Sequence, residues 1–527
     1  MDRSRTKQVC TIGPASAERI SELVASGMDV ARINFSHGTP DEHRAYVHAV
    51  RAAAHSARRS VAVMVDLPGP KLRLGELEGG ELRLETGARF ELRGDGSAVG
   101  DASGACVRRG SLGERLQVGD RVLLADGAAE LKVVEVDGSS VRTEVVNGGL
   151  IRSHTGVNIP SDRLADGGLT DEDRQAVPRI LELRADLIAQ SFVRTAGDIR
   201  ALRALLPTDG PRVVAKIETR AAIDNFDAIA AEADGIMVAR GDMGVDVPFE
   251  EVPGIQKDLI VRGSNAHRFT IVATQMLESM TTSARPTRAE ASDVANAVLD
   301  GADAVMLSAE TAIGAFPVEA LQAMERICLA VETRADFVGE TDDDQEKAGS
   351  AAKAIVLSAA VMVEFAGAGA LWCFTRTGRT AELLSLTRPG VPIIAFTLSP
   401  IVARRLAVRR GVVPIVLPAG GRGGTLIERM EAAWRAQSAP RGYDTVLLVT
   451  TSPQPAGINR LELHRLSEAA PQAHQPSAAP RERRPPTGPR PGSEPPPTPE
   501  PPQPAEPPQP AEPQQPAEDA TEPRESD

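Results

Sequence analysis

GIMVARGDMG, residues 235–244, begins as a run of strand-forming apolar residues and stops abruptly on Arg240, Gly241 and Asp242. Alone, such a run reads as a buried strand that has reached the surface. LIAQSFV (187–193), VVAKIE (213–218), TIVATQM (270–276) and AVMLSAE (304–310) share its form, each followed by a stretch with helical spacing. VCTIG (9–13), VARINFS (30–36) and VAVMVDL (61–67) precede them. Short apolar runs alternating with helices denote a parallel sheet covered on both faces. Eight such units in series are the pattern of a (β/α)8 TIM barrel, an α/β fold whose active site lies at the carboxyl ends of the strands.

Those ends carry Asn34 and Ser36, Asp66, Ser191 and Arg194, Lys216 and Glu218, Arg240 and Asp242, Thr274 and Gln275, and Ser308 and Glu310. On a barrel they converge on one mouth, which makes Asp242 one member of a ring. Glu218 and Asp242 end consecutive strands. Their carboxylates suit Mg2+ or Mn2+ with remaining oxygens from water or substrate, although two rim carboxylates paired with arginines would look the same in sequence. Lys216 lies two residues before Glu218 on the same strand face, an expensive place for an ammonium beside a metal unless further negative charge binds there. Arg32 and Arg73 add positive charge near the first strand ends. A metal, a lysine and two arginines suit a phosphorylated anionic substrate, whose transfer needs charge stabilisation more than covalent help.

Outside the barrel pattern, residues 75–156 change to short alternating stretches such as ELRLE, RVLLA and LKVVEV between Gly and Asp turns, which implies an inserted small β-barrel domain. The barrel therefore divides into 1–74 and 157–335. Residues 336–466 carry a helix near 351–365 and the strands ALWCF, VPIIAF, VVPIVL and DTVLLV, the pattern of a separate doubly wound α/β domain. Its first strand runs into TRTGRT, Thr375, Arg376, Thr377, Gly378, Arg379 and Thr380, a hydroxyl-rich turn opening a helix. Such a turn is either a phosphate nest or an ordinary helix cap. Residues 467–527 repeat Pro-Gln-Pro-Ala-Glu and lack the apolar residues that offset the entropy of folding, so a disordered tail is expected there.

The net charge of −13 excludes a broad nucleic-acid or membrane-binding face. Four widely spaced cysteines give neither a disulfide framework nor a zinc site, which fits a reducing, cytoplasmic setting. No apolar run approaches the roughly twenty residues that span a bilayer.

TKQVCTIGPAS, GMDVARINFSHG, DLPGPKLR, GVNIPS, SFVR, AKIET, DGIMVARGDMGVDVP, ATQMLESM and RPTRAEASDVANAVLDGADAVMLSAETA occur in this order between residues 6 and 312. Together they resemble the pyruvate kinase family, and the likeness continues more loosely to about residue 466. The resemblance implies transfer of a phosphoryl group from phosphoenolpyruvate to ADP, giving pyruvate and ATP, with the inserted domain as a lid. It implies Glu218 and Asp242 as metal ligands, Lys216 as the stabiliser of the transferring phosphoryl group and enolate, and Arg32 and Arg73 as phosphate contacts. Thr274 would stand where the enolate carbon is protonated, itself or through a relayed water. The backbone N–H groups of Gly241 and Asp242 would hold the substrate carboxylate. Arg73, Asn34 and His37 would meet the nucleotide. The resemblance also implies a sugar-phosphate or nucleotide effector at Thr375–Thr380 and a homotetramer.

Two departures stand out. Many family members have Glu in a Gly-Pro-Glu stretch and hold K+ at positions matching Asn34, Ser36 and Asp66; here the stretch is Gly69-Pro70-Lys71, with Leu67 and Leu74 nearby. The Lys71 ammonium can supply the charge of the missing ion, and activity without K+ is expected. In LTDEDR (169–174), Glu172 replaces a lysine that touches nucleotide phosphate, which weakens that contact unless Arg174 or a local shift of register restores it. A catalytically impaired metabolite sensor and another metal-dependent enolpyruvate enzyme remain the alternatives.

Overall fold

The computed structural model describes residues 3–466 apart from 95–97, 109–111, 161–162, 164–167, 335–350, 419–424, 438–442 and 451–458; the expected tail, 467–527, lies outside the described residues. Eight parallel strands close into a barrel: Lys7–Thr11, Val30–Asn34, Ala62–Asp66, Leu187–Gln190, Arg212–Ile217, Gly235–Ala239, Phe269–Ala273 and Ala304–Leu307. Closure comes from the first and last strands, with Lys7 opposite Ala304 and Cys10 opposite Leu307. Most strands end a residue or more before the apolar stretch does. The run at 235–244 is instead cut at Ala239, and Arg240 opens the short helix Arg240–Asp246.

Strand alternation decides what meets inside. Val9, Val30, Met64, Ala189 and Val214 belong to one buried interior cluster. Two residues further along each strand, on the same face, stand Thr11, Arg32, Asp66, Ser191 and Lys216. The apolar interior is thus capped by a polar layer made by continuing the same period-two rows. Phe269 fills the start of the seventh strand, and a Cβ on Gly235 opposite would lie 2.2 Å from its ring, so the neighbouring strand needs glycine there.

Helices cover the outside. Pro40–Ser56 starts at Thr39, whose side chain accepts from Glu42 N while Glu42 returns the bond, the capping box expected from Thr39-Pro40-Asp41-Glu42. The insertion leaves after the third strand. Its strands Leu72–Leu74, Arg89–Gly94, Gly104–Arg108, Arg121–Leu124, Ala129–Asp137, Ser140–Asn147 and Gly156–Asn158 form a second, mainly antiparallel closed barrel around Phe90, Leu92, Leu131 and Val141. Arg73 therefore sits on the first strand of this small barrel, paired with Gly156.

The C-terminal sheet has the order Val412–Val416, Ile393–Thr397, Leu371–Phe374, Thr445–Thr450 and Arg460–Arg465. Four strands are parallel. The last is an antiparallel edge that the sequence reading did not anticipate, because RLELHR alternates charges with only two leucines. Ala407 and Val408 of this domain join the barrel's interior cluster, and Arg409 lies 5.1 Å over the Phe269 ring, at the strand starts opposite the mouth. No helix among the described residues is long and apolar enough to cross a membrane. All four cysteines are buried and free.

Candidate active site

The polar layer above the barrel interior is one connected network. Arg32 donates from Nε to Asp66 Oδ2 at 2.7 Å and from Nη1 to Thr11 Oγ1 at 2.9 Å. Lys216 Nζ donates to Ser191 Oγ at 2.6 Å and lies 3.3 Å from both Asp66 Oδ1 and Glu218 Oε2. Ser191 in turn donates to Leu67 O at 2.7 Å. These groups are well covered, the side chains of Lys216, Asp66 and Glu218 being 11%, 2% and 0% exposed. Burial alone would lower the Lys216 ammonium, but Asp66, Glu218 and Asp242 hold it above its usual range.

Glu218 is the tense member. Burial pushes its carboxyl up to about 7 despite the opposing charge of Lys216, and the Asp242 charge adds to the rise. Phe192 N donates to Oε1 at 2.7 Å, whereas Oε2 is buried with no hydrogen-bond partner among the described residues. Asp242 differs: burial would raise it, but Lys71 and Lys216 outweigh that and hold it low. Lys71 Nζ stands 2.9 Å from Asp242 Oδ1. Among the described residues no group of three or more His, Cys, Asp or Glu is placed to hold a metal. The donor set at the mouth is two carboxylates, one with an oxygen that accepts no hydrogen bond among the described residues and faces Lys216. That fits a hard divalent cation completed by water and substrate oxygens.

Thr274 and Gln275 adopt left-handed backbone, φ 71° and 53°, unusual for non-glycine residues. Arg240 holds them, donating to Thr274 O at 2.8 Å and Gln275 O at 3.3 Å while pairing with Asp293 at 2.6 Å. Thr274 Oγ1 accepts from Gly241 N at 2.7 Å, so one backbone N–H expected to meet a substrate carboxylate is engaged by this hydroxyl. A Cβ on Gly241 would lie 3.3 Å from the same oxygen, tight enough to favour glycine there.

On the other side of the mouth a cleft is lined by Phe35, Ser36, Gly69, Lys71, Arg73 and Glu172. His37 is held below its ordinary value, first by burial and then by Arg73, Arg32 and Lys71, which records how positive this side is. Arg73 donates to His154 O at 3.1 Å. Asn34 Oδ1 accepts from Ser36 N at 3.1 Å. Asp66 is taken by Arg32 and Lys216, and the ion pair that Lys71 makes with a described residue is to Asp242.

The residues just described lie within matches to two family profiles: pyruvate kinase, barrel domain, over residues 3–321, and pyruvate kinase, alpha/beta domain, over residues 353–464. The chain belongs to the pyruvate kinase family. It is 40% identical to the pyruvate kinase of Sporosarcina psychrophila over 420 residues, 78% of this chain and 72% of that one. To the Mycobacterium intracellulare pyruvate kinase it is 39% identical over 475 residues, 88% and 99% of the two chains. The crystal structure of a pyruvate kinase from Cryptosporidium parvum is similar over 88% of this chain and 97% of its own, with a TM-score of 0.79 at 35% identity. The chain is thus a glycolytic phosphotransferase, and pyruvate kinase activity entails phosphoenolpyruvate, ADP and a divalent metal.

Sequence reasoning singled out Lys216, Glu218, Asp242, Thr274, Arg32 and Asp66, which stand together at the mouth. It passed over three supports. Ser191 was seen only as a strand-end hydroxyl, although its place two residues beyond interior Ala189 would have put it beside Lys216. Arg240 was read as a strand end when it is the clamp on Thr274. Asn158, which hydrogen bonds to Asp242 from the end of the small barrel's last strand, lies in the GVNIPS motif but has no role there that sequence alone assigns.

Proposed function

We propose that Glu218 and Asp242 hold the divalent cation, Mg2+ or Mn2+, and that Lys216 carries the chemistry of phosphoryl transfer from phosphoenolpyruvate to ADP. The observation that carries this reading is the buried Oε2 of Glu218, which accepts no hydrogen bond among the described residues and faces the Lys216 ammonium at 3.3 Å, so that it keeps lone pairs for a hard cation. Bound there, the metal would supply charge stabilisation to the phosphoryl oxygens. Lys216, kept charged by three carboxylates, faces both the phosphoryl oxygens and the enolate oxygen left when the bond to phosphorus breaks. Arg32, from the second barrel strand, and Arg73, from the first strand of the small barrel, bind the phosphate. The N–H groups of Gly241 and Asp242 orient the carboxylate once Thr274 Oγ1 is displaced from Gly241 N. Thr274, directly or through water, passes the proton to the enolate carbon, which completes pyruvate.

Asn34, His37 and Arg73 meet the nucleotide, and the small barrel, which carries Arg73 and Asn158, closes over the mouth. Lys71 supplies the unit charge that K+ supplies elsewhere: its ammonium lies in the mouth against Asp242, and apolar Leu67 follows Asp66. The loop Thr375–Thr380 begins at the switch point of the C-terminal sheet, where Leu371–Phe374 lies between strands running to either side, and Thr375 Oγ1 accepts from Gly378 N at 2.9 Å. Ligands favour that position in open α/β sheets, which supports a sugar-phosphate or nucleotide effector. Assembly into a homotetramer of a cytoplasmic enzyme rests on membership of the family alone. Electron paramagnetic resonance of Mn2+ added to the full chain tests the metal assignment without turnover. Glu218→Gln should weaken binding about tenfold or more; unchanged affinity would remove Glu218 from the site.

A further inference from the structure

A cavity of about 540 Å³ lies outside the mouth, between the helices Pro40–Ser56 and Asp171–Glu182 and the C-terminal helix Pro400–Leu406. Its volume is that of a small-molecule pocket. Its walls are basic in a chain whose net charge is −13. Arg51 and Arg404 share a single carboxylate, Asp186, at 2.7 and 2.8 Å, so two guanidinium groups meet one buried negative charge. Arg179, Arg184 and His48 also line the cavity, and none makes an ion pair with a described residue. Glu182 is the one acidic lining residue among the described residues. Cations gathered around a partly open pocket with too few carboxylates are poised for an anion, and the flat guanidinium fork matches phosphate oxygens two at a time.

The cavity also touches the loop that serves the mouth. Phe35 and His43, which line it, stack with ring centroids 4.4 Å apart and planes 9° from parallel, and Arg179 lies 5.6 Å over Phe35. His43 Nε2 hydrogen bonds to His37 O at 2.8 Å, while its buried Nδ1 has no partner among the described residues. Phe35 lines the mouth-side cleft as well.

We propose that this cavity binds a small phosphate monoester, with Arg179 and Arg184 as its main phosphate contacts and Arg404 bringing in the C-terminal domain. A ligand seated there rests on the Phe35–His43 pair that anchors the loop at His37, so it also shifts the KM for ADP. That kinetic consequence alone rests on the function proposed above.

Equilibrium binding of glycerol 3-phosphate and of inorganic phosphate to the full chain tests the site. The comparison uses Arg179→Gln/Arg184→Gln, the single variant Arg184→Glu, and Arg376→Gln/Arg379→Gln in the C-terminal loop, each checked for native circular dichroism. The expected result is a class of glycerol 3-phosphate sites weakened at least tenfold by either cavity variant and kept by the loop variant. Binding unchanged in a folded cavity variant, binding lost only in the loop variant, or binding of inorganic phosphate alone would overturn the proposal. Pyruvate formation without added phosphate should remain at the wild-type level in the cavity variants, so failure here and failure of the assigned reaction are told apart.

Discussion

Replacing Lys71 by methionine keeps the length of the side chain and removes its charge. The ammonium stands 2.9 Å from Asp242 Oδ1, with the two side chains 24% and 20% exposed. At an effective dielectric constant of about 20 the gross attraction at that distance is about 6 kcal/mol. Most of it is offset by desolvation, and a hydrogen bond to a charged group is worth about 1.5–3 kcal/mol net. If that stabilisation is needed to hold Asp242 and its anionic neighbours in the reacting arrangement, kcat/KM in K+-free buffer should fall about tenfold to a hundredfold. Adding K+ at about 100 mM, beyond the screening already present in a tetramethylammonium buffer of equal ionic strength, should restore most of the loss. Steady-state pyruvate formation at both salts reads this directly. Full activity of Lys71→Met without K+, or a wild-type enzyme that is idle until K+ is added, would refute the reasoning.

Other perturbations have equally definite outcomes. Glu172→Lys puts a cation back into the cleft beside Lys71 and Arg73 and should lower the KM for ADP about fivefold, with the KM for phosphoenolpyruvate little changed. Arg240→Lys loses the fork that holds Thr274 O and Asp293, and kcat should fall about tenfold to a hundredfold, while circular dichroism remains native. Glu332 is buried, accepts from Arg5 N at 2.6 Å and Thr6 N at 2.8 Å, and faces Arg410 at 3.3 Å, so Glu332→Gln should cost about 3–5 kcal/mol, seen as a lower unfolding temperature. Burial would raise that carboxyl, but Arg410 and the backbone donors outweigh burial and hold it below 4.5. Its stabilisation is therefore complete above the unfolded value and lost as pH falls through the folded one. The gap in unfolding temperature between wild type and variant should narrow steadily below about pH 4.5.

The barrel was legible because its strands are buried on both faces and its polar ends break continuous apolar runs. The mouth was legible because strand alternation carries the interior row of Val30, Met64 and Val214 onto Arg32, Asp66 and Lys216 without any long-range information. What stayed hidden depended on contacts between distant segments. Arg240 clamps a loop more than thirty residues away, and the pairing of Lys71 with Asp242 spans 171 positions. The edge strand Arg460–Arg465 escaped because an exposed edge carries few apolar residues, and among the described residues its sheet partner is the preceding strand alone. The basic cavity could not be read from sequence, since its arginines come from two barrel helices, the turn after the second of them and a helix of the C-terminal domain, segments far apart along the chain.

The most direct measurement of the central claim is pyruvate formation from phosphoenolpyruvate, ADP and Mg2+ by the wild-type chain and by Lys216→Met, side by side in K+-free buffer. Turnover by the wild type, with at least a hundredfold loss of kcat in a folded variant, is the expected result. Equal turnover by the two proteins, or none by the wild type, would contradict the role given to this mouth.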